Sequence, residues 1–205
     1  QLMAERNAAA PPHSEFNRTM QKLLEESRRA SEVVRRLRNL FNRGDTHLER
    51  TGIASLLGSV RSIGADLGAG TGVEFRVRES GQPLALLVDK LQIELILRNL
   101  LANAFESVAA CPEGERRVTV SAGAAGDDHV SIRIADSGPG VPPARRDVLF
   151  EPFHTSKASG MGVGLAVSRA IAEAHGGTLV AEPDRNGEFS MVLTLPCSTA
   201  VAHAA

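Results

Sequence analysis

Four short stretches of this chain hold residue types that chemistry needs more than packing does. Asp136-Ser137-Gly138-Pro139-Gly140 sets a carboxylate beside bare backbone. Gly160-Met161-Gly162-Val163-Gly164-Leu165 is a second glycine cluster. Between them runs Leu149-Phe150-Glu151-Pro152-Phe153-His154-Thr155-Ser156-Lys157, and upstream lies Asn99-Leu100-Leu101-Ala102-Asn103-Ala104. Read together, the four predict a nucleotide pocket: an acid that reads the base, amides that hold a metal ion, and glycine backbone that closes over phosphates.

Each piece also has a plainer reading. Asn99 and Asn103 are four apart, so both face one side of a helix. Helix interiors disfavour Asn, and an amide oxygen is a neutral hard ligand suited to Mg²⁺ already held by phosphates; equally, two such amides can cap neighbouring backbone or meet water. Asp136 ends the apolar alternation Ile132-Arg133-Ile134, which puts a carboxylate at a sheet rim where it can accept from the exocyclic amine of adenine. Asp-Ser-Gly-Pro-Gly is also ordinary turn chemistry. Gly138 and Gly140 let backbone pass close to a ring.

The second cluster precedes a helix, where exposed amides favour phosphate. Its spacing is neither the dinucleotide-binding G-x-G-x-x-G nor the lysine-bearing phosphate loop. Lys157 is the mobile cation for phosphate, with Thr155 and Ser156 as hydroxyl donors. Phe150 and Phe153 are expected to pin the base of the flap into the core, and His154 to sit on the surface. The span from Pro142 to Ser159 is long for an idle connection and reads as a lid.

Elements must position these groups. Asp89 can cap a helix running to about Ala109. Strands are expected at Val73–Arg78, Leu84–Val88, Arg117–Ala122, Val130–Ala135, Thr178–Ala181 and Phe189–Leu195, with a hairpin loop over Gly123–Asp128. Ile53–Ile63 reads as a helix fading into a glycine-rich turn at Gly64–Gly72. Val163–His175 reads as a helix stopped by Gly176-Gly177. Ahead of Gly44, Phe16, Met20, Leu23, Ser27, Ala30, Val34, Leu37 and Phe41 alternate steps of four and three, the seam of a helical bundle that needs a partner. Arg28, Arg29, Arg35 and Arg36 read as its solvated face.

Composition bounds the rest. With 205 residues there is room for one domain and an appendage. A net charge of -1 gives no field toward nucleic acid or membrane, and without Trp or Tyr aromatic base stacking has little to work with. Cys111 and Cys197 make no disulfide framework, which suits a reducing cytoplasm. No apolar run reaches a membrane span, and the opening Gln1-Leu2-Met3-Ala4-Glu5-Arg6 lacks the build of a signal peptide and reads as part of something longer.

With these residues in view, the chain resembles the catalytic ATP-binding domain of two-component sensor histidine kinases, nearest the nitrogen-regulatory and oxygen-sensing type. Asp89 to Ala104 is similar to the family's asparagine box, Asp136 to Gly140 to its first glycine box, Leu149 to Lys157 to its phenylalanine box and Gly160 to Leu165 to its second glycine box. The resemblance implies a two-layer α/β sandwich (the Bergerat, histidine-kinase-like ATPase fold) over residues 46–197, with a tail at 198–205. Residues 1–45 would be part of the dimerisation and phosphoacceptor hairpin, mainly its second helix.

It further implies that Asn103 binds Mg²⁺ with Asn99 assisting, and that Asn99, Asn103 and Lys157 serve catalysis. Asp136 would read adenine, with Gly138, Gly140 and Val141 beside it. Phe150, Phe153, Thr155, Ser156 and Lys157 would close over the triphosphate, together with Gly160, Met161, Gly162, Val163, Gly164 and Leu165. The implied partners are ATP or ADP, a response-regulator receiver domain and a second copy through the hairpin, in the cytoplasm, with any membrane anchor outside this chain.

Two features depart from the family. The acceptor His-acid pair is absent, since His13 sits in the loop Pro11-Pro12-His13, so the chain is expected to bind ATP without phosphorylating itself. Glu106 stands where many members have Lys. The rival readings are a gyrase- or Hsp90-type ATP-hydrolysing module, a non-catalytic dimerisation scaffold and an anti-sigma Ser kinase.

Overall fold

The computed structural model describes Met20 and residues 47–79, 81, 84–146, 148–153, 162–183 and 188–198. The chain divides into two compact units, Gln1–Gly44 and Asp45–Ala205. The expected bundle helix over Phe16–Phe41 lies, Met20 apart, outside the described residues, as does the tail beyond Ser198.

The second unit opens with β1 (Glu49–Gly52) and α1 (Ile53–Gly68), followed by β2 (Glu74–Glu79) and β3 (Ala85–Val88). Next come α2 (Lys90–Val108), β4 (Arg117–Ala124), β5 (His129–Asp136) and the short α3 (Pro143–Arg146). It ends with α4 (Gly164–Ala174), β6 (Thr178–Pro183) and β7 (Phe189–Pro196). Five strands form one sheet in the order β2-β4-β5-β7-β6, with β2 parallel to β4 and the other pairs antiparallel. β1 and β3 make a separate antiparallel pair.

Period-two alternation builds the sheet. Val118, Val120 and Ala122 of β4 and Val130, Ile132 and Ile134 of β5 are buried, while Thr119, Ser121, Ser131 and Arg133 between them are only half-buried. Register pairs Val120 with Ile134 and Ala122 with Ile132, so the apolar residues share one face. Asp136 continues that series two residues past Ile134, opposite Val118 on one side and Phe189 on the other. The acid therefore lies on the core face, at its end.

Helix α2 is the counterpart layer, packed against α1, α4 and β5. Its buried residues are Ile93, Ile96, Leu97, Leu100, Leu101, Ala104, Phe105 and Val108, each three or four residues from another on one face. Asp89 caps it, accepting from the Gln92 amide at 3.2 Å. The Asp89 amide in turn donates to His175 Nε2 at 3.1 Å, and His175 Nδ1 meets the Ile171 carbonyl at 2.8 Å. One histidine at the end of α4 thus ties down the start of α2.

The expected turn at Gly64–Gly72 is corrected at its start: α1 runs through Gly64 to Gly68. Gly64 is there for proximity. A Cβ on it would lie 2.1 Å from Cε1 of Phe75, whose ring packs 5.6 Å from that of Phe105. The helix C-terminal stop at Gly176 holds, with a φ of 71° and the Gly177 amide returning to Ala172 O at 2.9 Å.

Replacing Gly64 by Ala separates two opposed effects. Helix propensity alone would stabilise by about 1 kcal/mol. Overpacking against Phe75 costs about 1–3 kcal/mol. The expected outcome is a net loss, read as a lower urea midpoint at unchanged slope; a higher midpoint would refute the close approach.

Candidate active site

The site grows from one edge of α2. Asn99, Asn103 and Ser107 are spaced by four and all half-buried, flanking the apolar stripe. Successive members stand about 6 Å apart along the axis. At the near end, Asn99 Nδ2 donates to Gly164 O at 3.4 Å and to Ser168 Oγ at 3.3 Å, while Ser168 Oγ donates to the same carbonyl at 2.9 Å. The amide group of Asn99 thus joins α2 to the first turn of α4, so part of its bonding capacity is structural, as the plainer reading of the pair had it.

At the far end, Ser107 meets the turn after β5. Asp136 is 5% exposed. Its Oδ1 accepts from the Gly138 amide at 2.9 Å, and the Ser107 hydroxyl stands beside the carboxylate over Gly138. Burial pushes its pKa above the usual carboxylate range; the Ser107 and Gly138 donors pull the other way, and the nearby Glu188 carboxylate adds to the rise.

Gly138 has no room for a side chain: a Cβ would lie 2.0 Å from Ser107 Oγ and 2.7 Å from Asp136 Oδ1. The turn is tied to β4 by Ser137, whose Oγ accepts from the Arg117 amide at 2.9 Å and donates to Glu115 O at 2.7 Å. Gly140 follows with a φ of 67°, and the Val141 carbonyl accepts from Arg146 Nε at 3.0 Å.

The connection beyond carries the phenylalanines. Phe150 is half-buried with the Arg169 guanidinium 5.0 Å from its ring centre. Phe153 overturns its expectation. It is 73% exposed, with a φ of 67°. Its amide donates to Gly162 O at 3.1 Å, closing the loop at its base. That backbone reversal puts a bulky residue in the left-handed region and turns its side chain outward. Thr155, Ser156, Lys157, Gly160 and Met161 lie outside the described residues. Val163 precedes α4 without a side-chain cap, and Gly164 and Leu165 open that helix.

Sequence reasoning missed Ser107, Ser168 and Arg169. The first two had a signal: Ser107 is one turn past Asn103, and Ser168 one turn past Gly164.

Residues 88–199 match the family described as histidine kinase-, DNA gyrase B- and HSP90-like ATPase. The sensor protein FixL of Bradyrhizobium diazoefficiens is 33% identical over 174 residues, which is 85% of this chain and 34% of FixL. Among solved structures, full-length ShkA in complex with AMPPNP superimposes with a TM-score of 0.67 at 27% identity, over 77% of this chain and 33% of ShkA. The mycobacterial sensor histidine kinase MprB gives a TM-score of 0.63 at 25% identity, over 73% of this chain and 98% of that one. The chain thus spans about a third of the length of FixL. The helix-on-sheet arrangement is the Bergerat ATPase fold of these neighbours. The chain belongs to the histidine kinase-, DNA gyrase B- and HSP90-like ATPases, and the matched residues form the ATP-binding catalytic domain of a sensor histidine kinase.

Proposed function

We propose that the protein to which this chain belongs transfers the γ-phosphoryl group of Mg·ATP to a His on a helix outside this chain, for relay to an Asp of a response-regulator receiver domain. The observation that carries the reading is the α2 edge, which brings the Asn99 amide to Gly164 of the second glycine cluster and Ser107 to the buried acid of the first. In this reading residues 1–45 belong to the dimerisation hairpin that joins two copies, 46–197 are the catalytic domain and 198–205 a tail. The domain works in the cytoplasm, where ATP is; among the described residues no helix is long and apolar enough to cross a membrane.

Asp136 accepts from the exocyclic amine of adenine, with Gly138, Gly140 and Val141 leaving room for the ring. Asn103 supplies a hard neutral oxygen to Mg²⁺, and Asn99 assists from its fixed place beside Gly164. An amide oxygen is a hard, neutral donor, so it fits beside phosphate oxygens in the shell of Mg²⁺. When bound, Mg²⁺ would offset the negative charge of the phosphates. Lys157, Thr155 and Ser156, with backbone from Gly160 through Met161, Gly162 and Val163 to Gly164 and Leu165, orient the γ group. Phe150 and Phe153 frame the flap. The bond from the γ phosphorus to its bridging oxygen breaks, the bond to the His nitrogen forms, and ADP leaves. Catalysis is positioning plus charge neutralisation.

A gyrase-type hydrolase needs a carboxylate to activate water one turn before the metal-binding amide. Here that place is Asn99, whose amide is no general base and whose nitrogen is engaged by Gly164 and Ser168.

A longer chain carrying the acceptor helix should incorporate label from γ-labelled ATP into an acid-labile, base-stable phosphoramidate. Label in a base-labile, acid-stable ester instead would reject transfer to His. Asn103→Ala should abolish the Mg²⁺ dependence of nucleotide binding, measured by calorimetry with and without chelator; an undiminished metal effect would remove its ligand role.

Asp136→Asn should weaken ATP binding by about 1–3 kcal/mol, since an amide nitrogen now faces the amine. The same substitution should stabilise the nucleotide-free domain at neutral pH. A raised pKa means that the acid's contribution to folding is greatest below its unfolded value of about 3.9 and is lost as pH rises through the higher folded value. The gain in melting temperature over wild type should therefore appear at pH 7 and shrink below about pH 4; a variant no more stable at pH 7 would contradict the cost assigned to burial.

A further inference from the structure

We propose that Ser107 is a positioning residue for base selection: its hydroxyl holds Asp136 as an oriented acceptor and so sets the preference for a 6-amino purine. The inference rests on the reading of Asp136 as the adenine-binding acid.

The geometry is an interlock of three groups. Ser107 Oγ and Asp136 Oδ1 both crowd the position that a Cβ on Gly138 would occupy, at 2.0 and 2.7 Å. The Gly138 amide closes the arrangement by donating to Oδ1 at 2.9 Å. An ionised carboxylate offers about four lone-pair sites. Two donors, one from backbone and one from Ser107, leave the rest for the base. A lone backbone donor would fix one oxygen and leave the group free to swing or to protonate. A protonated acid would present an O–H to the amine, donor against donor.

Burial gives the hydroxyl its weight. At 5% exposure Asp136 has little water to solvate its charge, so each protein donor counts for more than it would at the surface. The one charged side chain acting on it among the described residues is Glu188, which favours protonation. Arg117 Nη1 pairs with Glu188 at 3.3 Å and moderates it. Ser107 is thus the neighbouring hydroxyl that favours the charged form of the acid.

Placement on α2 gives the contact its reach. Ser107 stands one turn from Asn103, on a helix locked at its start by Asp89 and His175. The serine registers the base-reading acid against the helix that carries the amides. Its small size is part of the fit, since anything longer would meet the Gly138 backbone.

The test compares ADP with purine riboside diphosphate, which lacks the 6-amine, by calorimetry on the full chain with Mg²⁺. Ser107→Ala should weaken ADP binding about tenfold while leaving the amine-free analogue within about twofold of wild type. It should also raise the pH at which ADP binding is lost on acidification, because Asp136 loses a donor to its charged form. Ser107→Cys, a weak donor of similar size, should fall between, and guards against a folding defect in the first variant. Equal losses for both nucleotides, or no loss for either, would overturn the proposal. Asp136→Asn is run alongside. If it narrows the preference for ADP while Ser107→Ala does not, only the role of Ser107 fails; if it leaves the preference intact, the adenine reading itself fails, and this proposal with it.

Discussion

A charged group held out of water at the end of a sheet constrains everything around Asp136. Burying an unpaired carboxylate costs several kcal/mol, and its pKa is driven upward by that burial. The fold keeps the acid there by supplying donors within reach: the Gly138 amide from the turn and the Ser107 hydroxyl from the opposite layer. The second depends on how closely α2 lies over the sheet. The charge, the turn and the helix must therefore settle together, and a shift of α2 by one residue would remove the hydroxyl and bring Val108 or Glu106 toward the acid instead.

Close approach recurs at three glycines. Gly64 lets α1 lie against the ring of Phe75, and Gly138 lets the turn pass under Ser107. At Gly177 a Cβ would come within 2.2 Å of Thr194 O, so the chain leaving α4 runs tight against β7. These glycines fix the spacing between layers, and Gly138 does so at the site itself. Its bareness is explained by Ser107 and Asp136, whose side chains fill the place a Cβ would take.

Most of the sheet and the acid's location were legible because period two is a strong signal. Ile132, Ile134 and Asp136 share parity, and the alternation that makes β5 a half-buried strand also puts the acid on its inner face. The cap at Asp89 and the stop at Gly176 were legible for similarly local reasons. What was not legible depends on contacts distant in sequence. Gly64 reads as a breaker until Phe75 is known to lie against it. The strand Glu49–Gly52 has no alternating pattern and exists because β3 pairs with it, Arg50 facing Leu87. Phe153 looks like core by residue type, but the backbone bond to Gly162 turns it outward. Ser107 carried a spacing signal, yet its meaning depended on a turn some thirty residues later.

The amide at Asn99 separates two uses of the same scaffold. A hydrolase would need at that place a base poised over water, with its proton-accepting oxygen free. Asn99 instead spends its nitrogen on Gly164 O and Ser168 Oγ, tying α2 to the start of α4. That tie holds the near end of the α2 edge, while Ser107 and Gly138 meet Asp136 at its far end. In the proposed reading, a wall with no base on it suits transfer to a nucleophile brought from elsewhere. The domain would then supply the phosphoryl donor in a fixed pose, and the choice between water and a side chain would fall to whatever group is presented to it.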